Sequence, residues 1–145
     1  MFKLISIDPG KCKCGLVLVD INKKEVDQAI VINTEFLAEY IKSLKNIENI
    51  SKVIMGNGTT SKENIEKLEF LKKDLIIAEE KHTTYRAKKR YFELFPISGL
   101  KNLLPKEFFI LNKNLDAVSA LIILEDHCDV KFTMSKEIDI KTWLK

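Results

Sequence analysis

Leu4-Ile5-Ser6-Ile7-Asp8-Pro9-Gly10, continuing through a basic turn to Gly15-Leu16-Val17-Leu18-Val19-Asp20, decides how this chain folds. Two apolar runs rich in β-branched residues flank a short turn, which predicts an antiparallel hairpin over 2–8 and 14–20. Asp8 ends the first run, and Pro9-Gly10 stops the strand and lets the backbone turn sharply. An acid at the margin of a buried sheet needs a partner or a chemical task. Held on a rigid element with open space before it, Asp8 is mounted as a metal ligand should be.

Working outward, Asn22-Lys23-Lys24 turns the chain into a third strand near 25–32. Three strands with short links make an antiparallel meander. Thr34 is placed to cap a helix whose apolar stripe is Leu37, Tyr40, Ile41, Leu44 and Ile47. Val53-Ile54-Met55 reads as a short buried strand closed by Gly56-Asn57-Gly58. Thr60-Ser61-Lys62-Glu63 has the form of a capping box that starts a helix running to Lys73. Leu75-Ile76-Ile77-Ala78 is the next strand, ending at Glu79-Glu80. A basic helix follows, with Tyr85, Lys88, Lys89 and Phe92 around its turns, until Pro96 and Gly99 break it. The last helix, Leu115 to His127, is apolar on most faces and therefore buried. This order predicts an α/β architecture: a mixed five-stranded sheet, part antiparallel meander and part parallel strands, flanked by helices. One domain over 1–129 is expected, with a short tail, 130–145, packed on it or trailing from it.

A chain of 145 residues can bury a sizeable core, and its apolar fraction of 46% argues against global disorder. Charged residues interrupt every apolar run before it reaches membrane-spanning length. No secretory leader pattern precedes the first strand, so no membrane association and a cytoplasmic location are expected. Cys12, Cys14 and Cys128 are odd in number, and the spacing of the first two fits neither a zinc site nor a thioredoxin motif, leaving reduced thiols. The net charge is +3. Between Lys81 and Lys113, eight basic residues face only Glu93 and Glu107, a local +6 that leaves the remainder at −3. A basic segment beside an acidic remainder suits a polyanionic partner, although a solvated helix face explains it as well.

Three acids hold comparable positions: Asp8 at the end of the first strand, Glu80 just past the fifth, Asp116 at the start of the buried helix. A right-handed crossover can make strands one and five neighbours, with both acids at the carboxyl ends where open α/β sheets bind ligands. Such acids repel one another unless hard divalent cations neutralise them. Two ions about 4 Å apart can activate a water and stabilise a leaving oxygen in phosphodiester hydrolysis. Singly, each acid has a plainer reading as a turn former, a solvated strand end or a helix N-terminal charge. Lys11, Lys13, Lys81, Arg86, Lys88, Lys89 and Arg90 are candidates for phosphate contacts, with Tyr85 or Tyr91 stacking on a base. Helical spacing lets only two or three of them face one strand. Tyr91, Phe92 and Phe95 read better as core. Glu79, His82 and Asn57 are accessory candidates: His82 as a proton donor or surface histidine, and Asn57 in a glycine turn that either meets a phosphate or simply joins strand to helix.

These motifs resemble, in order, those of the YqgF group of ribonuclease H-like proteins, also described as Holliday-junction-resolvase-like or pre-16S rRNA nucleases. Ile5 through Gly15 is similar to the family's opening Asp-x-Gly hairpin, and Ile54-Met55-Gly56-Asn57-Gly58-Thr59 to its central strand and glycine turn. Glu79-Glu80-Lys81-His82-Thr83-Thr84 sits where the family carries Asp-Glu-Arg-x-Ser/Thr-Ser/Thr. Leu115-Asp116-Ala117-Val118-Ser119-Ala120 resembles its last helix. The resemblance implies a ribonuclease H-like fold, with Asp8, Glu80 and Asp116 as catalytic acids holding Mg²⁺ or Mn²⁺, two ions. It implies a nuclease acting on RNA, rRNA precursors included, or on branched DNA, working as one chain or as a homodimer. Glu79 and Lys81 replace the usual Asp and Arg. Lys113 stands where RuvC-type resolvases often carry a fourth acid, which points away from a true junction resolvase. A catalytically inactive nucleic-acid-binding module of the same fold is the alternative. An actin-like ATPase shares the opening hairpin but clamps its nucleotide between two domains, which 145 residues cannot supply.

Overall fold

The computed structural model describes residues 2–45, 47–58, 60–71, 74–80, 83–110, 115–134 and 141–143. Lys81, His82, Thr59 and Lys113 lie outside the described residues. The two apolar runs form β1 (Lys3–Asp8) and β2 (Lys13–Asp20), paired antiparallel with Asp8 opposite Gly15. β3 (Glu25–Asn33) completes the meander. β4 (Ile50–Gly56) lies parallel to β1, and β5 (Asp74–Ala78) lies parallel to β4. Strand order is therefore β5-β4-β1-β2-β3. β1 and β5 are not neighbours: β4 stands between them, and its terminal residue Gly56 pairs with Ala78.

Among the described residues the sheet has seven strands rather than five. β6 (Thr133–Met134) and β7 (Lys141–Trp143), both from the tail, pair in parallel with β3. They were invisible in the sequence because two- and three-residue strands carry no period of their own.

Alternation along β1 splits the core. Ile5 and Ile7 face α1 (Leu37–Ser43), in a cluster with Leu16, Ile32, Leu37, Ile41 and Met55. Leu4 faces α4 (Asp116–Cys128), with Val17, Val31, Ile54, Ala120 and Leu124. On its outer side α4 meets α3 (Thr83–Leu94) through Ala87, Val118 and Ile122, so α4 lies between the sheet and another helix. That explains its nearly uniform apolar sequence. It ends at Asp129, which takes the left-handed conformation that a short polar side chain tolerates. Among the described residues no helix is long and apolar enough to cross a membrane.

The other helices depart from expectation in detail. α1 stops at Ser43, and Ile47 belongs to a separate 3-10 turn. α2 spans only Ser61–Lys67, without the capping box. Thr34 and Thr60 make no cap hydrogen bond; their hydroxyls go to the Gly10 carbonyl.

Arg90 is not available to nucleic acid. Its guanidinium is buried against Glu125, at 3.0 and 2.6 Å, and also donates to the Phe132 carbonyl at 2.7 Å and to Glu93 at 3.1 Å. Glu125 in turn accepts the Phe132 amide at 2.9 Å. This network joins α3, α4 and the chain leading to β6. Replacing Arg90 with Leu would strand the Glu125 charge in a buried site. We expect a stability loss of roughly 3–5 kcal/mol, read as a fall in the urea midpoint.

Candidate functional site

Parallel pairing sets the ends of β1, β4 and β5 in line, so Asp8, Gly56 and the residues after Ala78 share one margin of the sheet. α4 brings Asp116 to the same margin. Its first turn passes over Gly15, where a Cβ would collide with the Asp116 backbone carbonyl. Gly56 performs a similar service for Glu80. A Cβ there would overlap the Glu80 carboxylate, so the bare backbone of β4 lets Glu80 extend past it towards Asp8. Gly58 completes this wall, and a Cβ on it would lie 3.6 Å from Glu80 Oε1. The glycines legible in the sequence as turn formers are thus the space in which the acids sit.

The electrostatics are those of buried acids that oppose one another's ionisation. Burial, with the charges of Glu80 and Asp116, raises the Asp8 carboxyl from 3.8 to about 7. A hydrogen bond donated by the buried Ser119 hydroxyl works in the opposite direction. Burial also raises Glu80, and its Oε1 is buried with no hydrogen-bond partner among the described residues. Ser119 is not among the candidates the sequence marks. The usable signal was its spacing from Asp116, since residues three apart share a helix face.

No three His, Cys, Asp or Glu side chains among the described residues group tightly enough to hold one metal ion between them. The acids surround Asp8 without closing on a common point, as mutually repelling carboxylates do. The donor set nonetheless suits a hard divalent cation. It consists of oxygens only, one of them orphaned, beside a carboxyl whose ionisation its neighbours oppose.

The basic candidates separate into two groups. Lys11 on the turn after Asp8 and Lys13 at the start of β2 are exposed, as are Lys88 and Lys89 on α3. Arg86 forms a two-pronged ion pair with Asp126 at 2.6 and 2.7 Å, and Arg90 is buried as described. Tyr85 is 82% exposed, whereas Tyr91 packs against Phe92 and Phe95. Asn57 is exposed and its amide extends the β4–β5 ladder by donating to Ala78 at 2.9 Å, while Glu79 lies exposed beside it.

No protein-family model and no curated protein sequence matches the chain. Among solved structures it is similar to T. thermophilus RuvC in complex with a Holliday junction substrate, with a TM-score of 0.51 and 9% identity over 89% of this chain and 96% of that one. A ROK hexokinase from Thermus thermophilus aligns with a TM-score of 0.41 and 14% identity over 62% of this chain and 37% of that one. The first likeness shows the fold: the chain has the ribonuclease H-like fold.

The raised pKa of Asp8 has a defined consequence for stability. The folded protein retains a proton that the unfolded chain releases above about 3.8. This contribution is therefore complete below that pH and is lost as pH rises through about 7. In metal-free protein, stability should fall over that interval by about 2–3 kcal/mol, after discounting for partial solvent access. Asp8→Asn should flatten the slope in urea melts taken from pH 4 to 8, and a parallel slope in the variant would refute the assignment.

Proposed function

We propose that this chain is a divalent-metal-dependent nuclease, of the YqgF kind, that hydrolyses phosphodiesters in RNA, rRNA precursors among them, or in branched DNA. The observation that carries this reading is the orphaned Glu80 oxygen at the same margin as Asp8, whose own ionisation Glu80 and Asp116 oppose. A protein keeps such a cluster at a cost to its stability, and acids arranged this way suit cation binding better than structural support. The fold shared with a structure solved on a Holliday junction substrate raises the prior for nucleic acid as ligand, by analogy.

Asp8, Glu80 and Asp116 would hold Mg²⁺ or Mn²⁺, with Asp8 placed between the other two. When bound, the ions supply charge neutralisation at the phosphate and a more acidic water. The chain's own residues do the rest. Ser119 holds the Asp8 carboxylate by its hydrogen bond. Lys11 on the β1–β2 turn and Lys13 at the start of β2 can pair with phosphates next to the scissile bond. Lys88 and Lys89 stand further along α3, near Tyr85, whose open ring can stack on an unpaired base. The inactive-module alternative draws on the absence of a closed three-acid group among the described residues.

Asp8→Asn should lower Mn²⁺-dependent cleavage of RNA and branched DNA by more than about a hundredfold, since losing even an outer-shell partner of a metal ligand costs 10–100-fold. Unchanged cleavage by this variant would sink the nuclease reading. Salt-sensitive binding by the unmodified protein with no metal-dependent turnover would favour the alternative.

The lysines are tested separately. Lys88→Gln with Lys89→Gln should lower the slope of log affinity against log salt by about 1–2. Arg86→Gln should leave that slope unchanged, because Asp126 already neutralises the arginine. Equal effects from both sets would refute this division of roles.

A further inference from the structure

The turn that follows Asp8 is held from the face of the sheet opposite α4. There the Gly10 carbonyl accepts two hydroxyl hydrogen bonds, from Thr34 at 2.8 Å and from Thr60 at 3.3 Å. Thr34 begins the 3-10 turn that enters α1, and Thr60 immediately precedes α2. They lie 24 and 50 residues from Gly10 in the chain, so neither bond is a local feature of the hairpin. The Thr34 amide also donates to the Cys12 carbonyl at 3.0 Å, and its hydroxyl lies 3.2 Å from the buried Cys14 Sγ. Behind Thr60 stands Asn64, fully buried, with Nδ2 at 3.5 Å from the Thr60 hydroxyl. Gly58 closes the remaining side, where a Cβ would come within 2.8 Å of the Pro9 carbonyl.

A hairpin turn ordinarily leaves such carbonyls to water or to its own amides. Here both acceptor positions of one carbonyl are taken by side chains from two different elements. Both donors are threonines, whose branched Cβ restricts χ1 and so fixes the direction of the hydroxyl. The carbonyl they hold belongs to the second residue after Asp8.

We propose that Thr34 and Thr60 are positioning residues that clamp the Pro9-Gly10 turn and so fix where Asp8 presents its carboxylate. The role in metal binding rests on the nuclease reading above; the clamp on the turn stands by itself. Asp8 points to the α4 side, where Ser119 reaches it, while the clamp acts from the α1 and α2 side. The backbone is thus fixed from one face and the carboxylate from the other. A site that must draw mutually repelling acids onto a cation gains from such rigidity, because less ordering remains to be done on binding.

The test compares Thr34→Val with Thr60→Val, made together and nearly isosteric, against Thr34→Ser with Thr60→Ser, which restores the donors. Ser51→Ala is the control, because it removes a 3.1 Å hydroxyl bond to the Lys3 carbonyl at the opposite end of β1. Mn²⁺ alone is the probe, titrated by electron paramagnetic resonance, and amide hydrogen exchange of residues 10–13 is followed in metal-free protein. The valine pair should weaken Mn²⁺ binding roughly 10–100-fold, as loss of outer-shell support does. It should also speed exchange in the turn. The serine pair should recover both, and Ser51→Ala should change neither. Wild-type Mn²⁺ affinity in the valine pair, or a loss matched by Ser51→Ala, overturns the positioning role. If the unmodified protein binds no Mn²⁺, the nuclease reading fails. The exchange data then decide the clamp: faster exchange confined to the threonine variants upholds it, and unchanged exchange overturns it.

Discussion

α4 starts against β2 at a point where β2 has no side chain. Gly15 lets the Asp116 backbone come into contact with the sheet, and everything around the acid cluster is measured from that contact. Because the helix enters there, Asp116 falls beside Asp8, which is the register partner of Gly15 in the hairpin, and Ser119 falls one turn deeper, against Asp8. Because the same helix then crosses the sheet, its other sides must bury apolar residues against β1, β2 and α3. The apolar character of α4 and the position of the third acid therefore have one cause.

The acids oppose the fold that assembles them. Burial opposes the ionisation of Asp8, with Glu80 and Asp116 adding to it, and it also removes the water that would have screened these acids from one another. The stabilising polar features lie elsewhere. Arg90, Glu125 and the backbone at Phe132 form a satisfied network, well buried, on the other side of α4. One flank of this helix thus carries a fully paired buried ion pair, and the other carries the acids grouped around Asp8. Fully paired buried groups of the first kind support the fold, whereas acids of the second kind mark a candidate site.

Much of this was legible in the sequence. The hairpin, the third strand, the two parallel strands and the buried last helix each carried a clear period or apolar run, and the three acids stood at their ends. What the sequence could not give was the lateral order. Periodicity sets which face of a strand is buried but not which strand lies beside it, so β4 appears between β1 and β5 only in the folded chain. The same limit hid the fate of the basic residues. Arg86 and Arg90 look like Lys88 and Lys89 in a charge count, yet their partners, Asp126 and Glu125, lie 40 and 35 residues away. Thr34 and Thr60 both fit the most local rule available to them, helix capping, but their hydroxyls serve a turn far off in the chain.

β3 is nine residues long, and Ala29 to Ile32 form a continuous buried run within it. Left as the last strand of the meander, it would offer an unsatisfied backbone ladder along its outer side, the sort of surface on which chains add to one another. The short strands after Asp129 occupy that side at two places. Among the described residues, two short pieces of chain distant from the meander thus cover part of the edge on which a further strand could otherwise pair.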